Sequence, residues 1–311
     1  RPHGGAAGAD HALVGRFWDV REARWVDEAA VEAAVARADF ALLGETHDNP
    51  DHHRLQARML RAIIAAGRRP AVAFEMLNAG QQGAVDEALR RDPRDPDALA
   101  RAVRWSSSGW PDFALYRPIF AAALGAGLPI VATDLSRGRA REVVSRGVSV
   151  LEPPVRAMLE RQGPLPEDVA RAYREEMYQS HCKQLPESML EPMVLMQRAR
   201  DAEIAYHVLE AGKDGGAVLI AGTGHVRNDR AVPAYLAREA PGRTLVAIGF
   251  LEVSPGEDDP AHYAAGFATR QLPFDFVGFT VREEREDPCI GIEKKIRPIA
   301  PEPKDAEWVR R

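Results

Sequence analysis

Short apolar runs alternate with helical patterns through most of this chain. The runs PAVAFEM, LPIVATDL and AVLIAGTGH are each followed by a helical segment, as is the earlier run FALL. Strands that are separated by helices pair in parallel through right-handed crossovers. The pattern therefore predicts an α/β fold with a mainly parallel sheet that is flanked by helices.

Other segments add elements to this alternation. GRFWDV and ARWV predict two short strands with a charged turn between them, and DEAAVEAAVARAD predicts a helix that Asp27 caps. The helix after the FALL strand is expected to begin at Asp51 and to end at Gly67. TLVAIGFLEV and FDFVGFTV predict two late strands, paired antiparallel at an edge of the sheet.

The alternation stops between residues 138 and 210, where helical patterns follow one another without an apolar strand. We interpret residues 138–210 as an inserted helical subdomain. Residues 14–137 and 211–290 are assigned to one discontinuous α/β domain, and flexible tails are expected at 1–13 and 294–311.

Composition narrows the possible partners. Lys and Arg number 41 against 46 Asp and Glu, without a basic block, so nucleic acid is not expected. No apolar run reaches the roughly 18 to 20 residues of a membrane span. The chain starts RPHGGAAGAD, without Met, so we expect a trimmed or mature form from which a targeting segment is missing. Cys182 and Cys289 leave a disulfide and two free thiols equally open.

Ionisable side chains follow each of the four predicted parallel strands. They are Glu45, His47, Glu75, Asp134 and His225. The carboxyl ends of parallel strands meet along one side of a sheet, where ligands bind in such folds. Two histidines share a frame, GETH and GTGH, in which a glycine after the strand permits close backbone approach. We therefore expect one site that contains these side chains.

Imidazole and carboxylate groups together permit two kinds of chemistry. The first is acid/base hydrolysis by Glu45, His47, Glu75 and His225. The second is binding of a divalent metal (Mn, Zn, Co or Fe) by the same four residues and His52, with a metal-bound water as nucleophile.

Simpler structural roles stay open for several of these residues. Glu45 or His47 would then cap the following turn, and Asp134 would be the N-cap of the next helix. His52 and His53 are interpreted as solvated helix-surface residues rather than ligands, with His52 nearer the buried stripe. In a third hypothesis the whole group is only a structural polar network.

The helical stretch contains side-chain types that coordinate haem iron. A tyrosine, a histidine, a cysteine and two methionines lie close together in YQSHCKQLPESMLEPM, and these are the usual axial ligands of haem. Packing explains the methionines better, which leaves Tyr178 and His181. Arg198 and Arg200 are typical of a solvated helix face, but carboxylates nearby would favour a guanidinium partner, and we include both in the expected haem site.

The chain resembles the ChaN-like haem-binding lipoproteins from about residue 15 to 280. The motifs that carry the resemblance occur in the family's order: GETHDNPDHH, AFEM, WPDFALYRPIF with AGLPIVATDL, SHCKQLPESMLEPMVLMQRARDAEIA and AGTGHVRNDRAVP. The resemblance implies a parallel-sheet domain with a smaller helical domain, haem binding in bacterial iron uptake, and a homodimer that holds haem between its subunits. The wider superfamily includes erythromycin esterases and Tiki proteases, in which the motifs matching Glu45, His47, Glu75 and His225 carry hydrolysis.

The resemblance does not identify the haem tyrosine, so local chemistry selects Tyr178, ahead of Tyr173 and Tyr206. Gly278 stands where the family tends to carry an aromatic residue, a change expected to open or weaken a pocket wall. The first hypothesis is a haem-binding protein of the bacterial envelope, periplasmic or lipid-anchored, that acts in haem or iron uptake. The alternative is a divalent-metal-dependent hydrolase of the esterase or peptidase type.

Overall fold

The computed structural model describes residues 6–290, which form ten strands and eleven α-helices. The strands are β1 (Ala6–Ala7), β2 (Phe17–Asp19), β3 (Arg24–Val26), β4 (Phe40–Glu45), β5 (Ala71–Asn78), β6 (Ile130–Asp134), β7 (Ala217–Gly222), β8 (Leu245–Glu252), β9 (Phe276–Thr280) and β10 (Arg282–Glu283). The helices are α1 (Glu28–Arg37), α2 (Pro50–Ala65), α3 (Gln82–Arg91), α4 (Pro96–Ala102), α5 (Phe113–Gly125), α6 (Arg137–Arg146), α7 (Pro153–Gln162), α8 (Glu167–Ser180), α9 (Glu187–Ala211), α10 (Thr223–Val226) and α11 (Val232–Glu239). Single 3₁₀ segments lie at Ala79–Gln81, Trp105–Ser107, Gly147–Val150 and Pro260–Phe267.

Eight strands form the main sheet in the order β3-β2-β9-β8-β4-β7-β5-β6. The pairs from β9 to β6 are all parallel, and β2 pairs antiparallel with both β3 and β9. The predicted α/β fold with a mainly parallel sheet is therefore confirmed, as is the predicted pair of short N-terminal strands.

Both faces of the sheet are covered. Leu42 of β4 and Leu219 of β7 lie in one apolar cluster, whereas the adjacent Leu43 and Ile220 lie in the other. Because successive side chains of a strand point to opposite faces, two separate clusters mean that apolar residues are buried on both sides. This burial explains why the central strands have no polar alternation.

The prediction for the two late strands is wrong in direction. β8 and β9 pair in parallel, and β8 lies inside the sheet against β4. A parallel pair needs a crossover of a dozen or more residues. Residues 253–275, which contain the 3₁₀ segment Pro260–Phe267, supply that crossover.

The N-terminal segment packs against the rest of the fold. Within the expected tail 1–13, Leu13 is buried in the core and Ala6–Ala7 pairs with Arg282–Glu283, so the described part is not a free tail. The expected tail at 294–311 lies outside the described residues. Within the described residues, no helix combines the length and apolarity that a membrane crossing needs.

The helix after β4 begins one residue earlier than predicted. Asn49, not Asp51, is its N-cap, and the Asn49 side chain accepts hydrogen bonds from the backbone N–H groups of Asp51 and His52. Pro50 occupies the first helical position, where its missing N–H costs no intrahelical bond.

Gly278 does not open a pocket wall. A Cβ at this position of β9 would lie 2.8 Å from Phe17 Cε1 and 3.1 Å from Phe250 Cδ1. The two rings already fill the space that an aromatic residue would take, so the expectation of a weakened pocket is corrected.

Residues 137–211 run as helices without an intervening strand. The C-terminal part of α9 packs on the sheet, because Ala202 and Ile204 belong to the same apolar cluster as Leu42 and Leu219. α8 instead contacts the N-terminal part of α9 through a small cluster of Tyr173, Met177 and Val194.

Candidate functional site

The carboxyl ends of four central strands deliver ionisable side chains to one place. Glu45 ends β4, Glu75 lies in β5, Asp134 ends β6, and His225 follows β7 in α10. We call the strand-end site the group made of Glu45, His47, His53, Glu75, Trp110, Tyr116, Asp134, Arg200, Asp201 and His225. The structure thus brings together all five side chains that the sequence placed at the strand ends.

Glu45 is the centre of one half of this site. Its Oε1 lies 2.9 Å from Nδ1 of His47 and accepts a 2.6 Å hydrogen bond from the Tyr116 hydroxyl. Its Oε2 lies 3.2 Å from Nδ1 of His53. Burial favours the neutral acid, but the His53 and His47 imidazoles outweigh it and lower the pKa of Glu45 to about 2. Glu45 is therefore an ionised carboxylate in a buried position.

Glu75 is the centre of the other half. Its Oε1 accepts from Arg200 at 2.9 Å and lies 3.3 Å from Nε2 of His225, and its Oε2 accepts the Gly222 N–H at 2.8 Å. Burial again opposes ionisation, but His225 and His47 hold the pKa of Glu75 well below its usual range.

His225 lies between two acids. Nδ1 is 2.7 Å from Asp201 Oδ1, and Nε2 faces Glu75. Burial and Arg200 disfavour a charged imidazole, but Glu75 and Asp201 outweigh them and raise the pKa of His225 to about 10. At neutral pH this residue is therefore an imidazolium that bridges two carboxyl groups.

This pKa gives a pH dependence of stability. A raised folded-state pKa adds stability that is complete below the unfolded value of about 6.5 and is lost as the pH rises through about 10. We expect the free energy of unfolding to fall by a few kcal/mol between pH 7 and 10, as measured by urea denaturation. The His225→Gln variant should lack this slope, whereas the exposed-site control His262→Gln should retain it. The same slope in both variants would contradict the assignment.

His47 is the member of the Glu45 half that solvent reaches, with 38% of its side chain exposed. Burial lowers the pKa of its imidazole, but Glu75 and Glu45 raise the pKa by more. Gly222 makes room for the ring, because a Cβ there would lie 2.9 Å from His47 Cε1. Trp110 contacts the other side of the ring edge-on, at 4.9 Å between centroids. The His47 imidazole is thus oriented by a carboxylate and held at an opening.

The strand-end site does not fit a divalent metal. The predicted ligands His225 and Glu75 are already paired with each other, and with Asp201, Arg200 and the Gly222 N–H. Among residues 6–290, no group of three or more His, Cys, Asp or Glu side chains is arranged to hold a metal ion. Guanidinium and imidazolium groups occupy the positions next to the carboxylates that a cation would need.

Of the two adjacent histidines, His53 and not His52 lies at the site, contrary to the sequence prediction. Both are buried, so neither is a solvated surface residue. His52 accepts the Thr46 N–H through Nδ1, and its Nε2 lies 2.8 Å from Thr280 Oγ1, so both nitrogens are used structurally. His53 instead contacts Glu45 and belongs to the site.

The structure also decides the roles of Asp134, Arg198 and Arg200. Asp134 is not a helix cap, because Ser136 caps α6, and its carboxylate accepts from Arg200 at 2.6 Å. Arg200 therefore joins Asp134 to Glu75 in the strand-end site. Arg198 points elsewhere and donates to the Gly163 carbonyl.

The expected haem ligand Tyr178 lies in a separate groove between α8 and the start of α9. We call this the Tyr178 groove; its volume is about 490 Å³. It is lined by Arg171, Arg174, Glu175, Tyr178, Leu185, Glu187 and Leu190. Neither Arg198 nor Arg200 lines it, so the structure does not place these two arginines with Tyr178.

His181 is the C-cap of α8, three residues after Tyr178, and its Nδ1 lies 2.8 Å from the Met177 carbonyl. That contact places the proton on Nδ1 and the lone pair on Nε2. The next residue, Cys182, forms a disulfide with Cys289, which ties this turn to the C-terminal segment.

The two alternative tyrosines lie in different surroundings. Tyr173 is buried beneath Arg230, whose guanidinium carbon lies 3.5 Å above the ring, and burial raises the pKa of its phenol. Tyr206 is half-buried on α9, outside the residues that line the Tyr178 groove.

Residues 31–236 match the family described as haem-binding uptake, Tiki superfamily, ChaN. This chain belongs to that family. Family membership places it among haem-binding uptake proteins and confirms the resemblance that the sequence motifs indicated. No curated protein matches the sequence.

Three solved structures are similar to this member of the ChaN family. ChaN of Campylobacter jejuni, described with cofacial haem binding, has 20% identity and a TM-score of 0.65 over 87% of this chain and 97% of its own. An erythromycin esterase mutant, EreC in its open conformation, has 15% identity and a TM-score of 0.45 over 83% and 79%. The type III effector HopBA1 has 14% identity and a TM-score of 0.43 over 82% and 92%. The first similarity shows a common fold.

Sequence reasoning missed three contributors to the strand-end site of this ChaN-family protein. Tyr116 comes from α5 and Asp201 from α9, far along the chain from the strands that they approach. Trp110 lies in the loop before α5. WPDFALYRPIF and MQRARDAEIA contain these residues and were recognised as family motifs, but nothing in their spacing indicates the strand ends.

Proposed function

We propose that this protein binds haem in the bacterial envelope and acts in haem or iron uptake, with the Tyr178 groove as its haem site. Family membership supports haem binding, and one observation favours this groove. Tyr178 lines an open groove together with a guanidinium, Arg171, and apolar side chains, Leu185 and Leu190, whereas Tyr173 is buried.

The residues of the groove fit the three parts of haem. The phenol of Tyr178 would hold the iron, and an anionic oxygen ligand favours the ferric state. Leu185 and Leu190 would contact the macrocycle. Arg171 would pair with a propionate, because Arg174 is already paired with Glu167 and Glu191. The groove also has two acids on its border, Glu175 and Glu187, which would repel a propionate. The expected attraction of the propionate therefore comes mainly from Arg171.

A homodimer around haem extends this proposal. An open groove between α8 and the start of α9 covers one face of a flat macrocycle, so a second copy of the chain would cover the other face. The cofacial haem binding described for Campylobacter jejuni ChaN supports this arrangement.

The envelope location is supported by the disulfide between Cys182 and Cys289. Disulfides persist in oxidising compartments such as the periplasm and are rare in the cytosol. A lipid anchor is part of the same proposal and rests on the family resemblance alone.

Haemin titration tests the haem proposal. We expect a saturable Soret band at micromolar haemin, together with a rise in molecular mass, measured by light scattering, if haem joins two copies. The absence of a saturable band would refute haem binding. A band without a change of mass would refute only the dimer.

A second candidate function is metal-independent hydrolysis at the strand-end site. The Glu45–His47 pair supports it, because a carboxylate orients the imidazole while the ring remains accessible. Within the part of the chain that the structure describes, no arranged ligand set supports the metal-dependent form. We expect His47→Asn to reduce the hydrolysis of a chromogenic ester by a factor of about 10² to 10⁴, and the control His262→Asn to leave it unchanged. No activity above background in the parent protein would reject this candidate and leave haem binding intact.

A further inference from the structure

A cleft of about 690 Å³ opens beside the strand-end site, on the side of Glu75 and Asp134. Its wall includes four arginines, Arg104, Arg137, Arg141 and Arg200, and we call it the arginine cleft. It shares no lining residue with the Tyr178 groove, so the proposed haem site leaves it unexplained.

The acids in this wall do not neutralise the arginines. Glu75 and Asp134 are both engaged by Arg200, and Glu75 also faces His225. Within the described part of the chain, the guanidinium groups of Arg104 and Arg141 have neither an ion pair nor a hydrogen bond, in contrast to Arg200.

Two further features strengthen the positive potential. Arg137, which is exposed like Arg104 and Arg141, donates a 2.6 Å hydrogen bond to the Ser108 carbonyl, an uncharged partner, so solvent rather than a carboxylate balances its charge. Arg137 is also the first residue of α6, so the positive end of that helix dipole is directed to the same wall. Three guanidinium groups and a helix N-terminus together favour a ligand with more than one negative charge.

The rest of the wall limits the ligand's size and shape. Trp110 and Met196 line the cleft and present apolar surface, and the Trp110 ring also contacts His47. A volume of about 690 Å³ lies within the range of roughly 300 to 1,000 Å³ that is usual for small-molecule sites. The occupant is therefore a small molecule with an anionic end and an apolar body.

We propose that the arginine cleft binds a small dianion, a phosphate monoester or a dicarboxylate, with its anionic group among Arg104, Arg137 and Arg141 and its apolar part against Trp110 and Met196. In this orientation the far end of the ligand approaches His47. The site goes beyond haem binding and does not depend on it.

Isothermal titration calorimetry with phenyl phosphate and phenylmalonate tests the proposal, with benzyl alcohol as the neutral probe. We expect saturable binding of at least one dianion, weakened by added salt, and none of benzyl alcohol. The tighter of the two dianions identifies the chemical class. The double variant Arg104→Gln/Arg141→Gln should bind at least about tenfold more weakly, because two charge-assisted contacts are lost.

The matched control is Arg146→Gln. Arg146 lies in the last turn of α6, the helix that contains Arg141, and its replacement should change the affinity for the dianion less than about twofold. Tyr178→Phe should also leave dianion binding unchanged, which separates this site from the haem site. The proposal is overturned if neither dianion binds saturably at millimolar concentration, if benzyl alcohol binds equally well, or if Arg146→Gln weakens binding as much as the double variant.

Discussion

Replacing Glu75 by glutamine is expected to lower the free energy of unfolding by about 3 to 5 kcal/mol. The substitution keeps the shape of the side chain and its acceptor for the Gly222 N–H, but it removes the charge opposite Arg200 and His225. Arg200 and His225 would then have one carboxylate fewer to balance their charges. Urea denaturation at pH 7 measures the change.

The control for this variant is Glu87→Gln. Glu87 pairs with Arg90 and Arg91 on the surface of α3, where all three side chains are exposed. Exposed pairs contribute about 0 to 1 kcal/mol, so this control should unfold almost as the parent does. An equal loss of less than about 1 kcal/mol in both variants would contradict the idea that the strand-end site is a compensated buried network.

A second measurement on Glu75→Gln distinguishes charge from packing. Because Glu75 is the main group that raises the pKa of His225, its removal should move that pKa back toward the ordinary value of about 6.5. Histidine resonances followed by NMR during a pH titration report this shift. An unchanged His225 pKa would mean that Asp201 alone holds the imidazolium.

Replacing Tyr178 by phenylalanine is expected to weaken haemin binding by at least about tenfold and to shift the Soret band. Among residues 6–290 the Tyr178 hydroxyl has no hydrogen-bond partner, so the change removes the proposed iron ligand without breaking a hydrogen bond of the protein. The loss should be largest for ferric haem, because the anionic oxygen favours that state. Haemin titration followed by absorption spectroscopy measures both effects.

Tyr206→Phe is the matched control, since Tyr206 is also a half-buried helical tyrosine but lies outside the Tyr178 groove. It should bind haemin as the parent does. If Tyr206→Phe lost the Soret band and Tyr178→Phe retained it, the haem site would have to be assigned to α9 instead. Haem binding as a property of the family would be unaffected.

Part of the strand-end site could be predicted because a general rule connects it to the sequence. Parallel strands end on one side of a sheet, so residues that follow separate apolar runs must meet there. Glu45, Glu75, Asp134 and His225 were found in this way. The rule says nothing about which atoms pair, and it therefore left metal binding, acid/base chemistry and a structural network open.

The class of the fold could also be predicted, but not the direction of every strand. Alternation of apolar runs with helices determined the parallel α/β class, because it reflects local patterns that each element must satisfy. The direction of β9 was not determined, since it depends on how residues 253–275 pack across the sheet. Local turn signals do not contain that information.

The sequence by itself determined the family, the parallel sheet and the residues at the strand ends, because these depend on local pattern and on motif order. Only the tertiary structure decided that Arg200, Asp201, Tyr116 and His53 complete the network of ion pairs and hydrogen bonds, since they come from helices packed over the sheet. It also separated Tyr178 from Arg198 and Arg200, which the sequence had grouped. Distances across a fold are set by packing, and sequence spacing does not encode them.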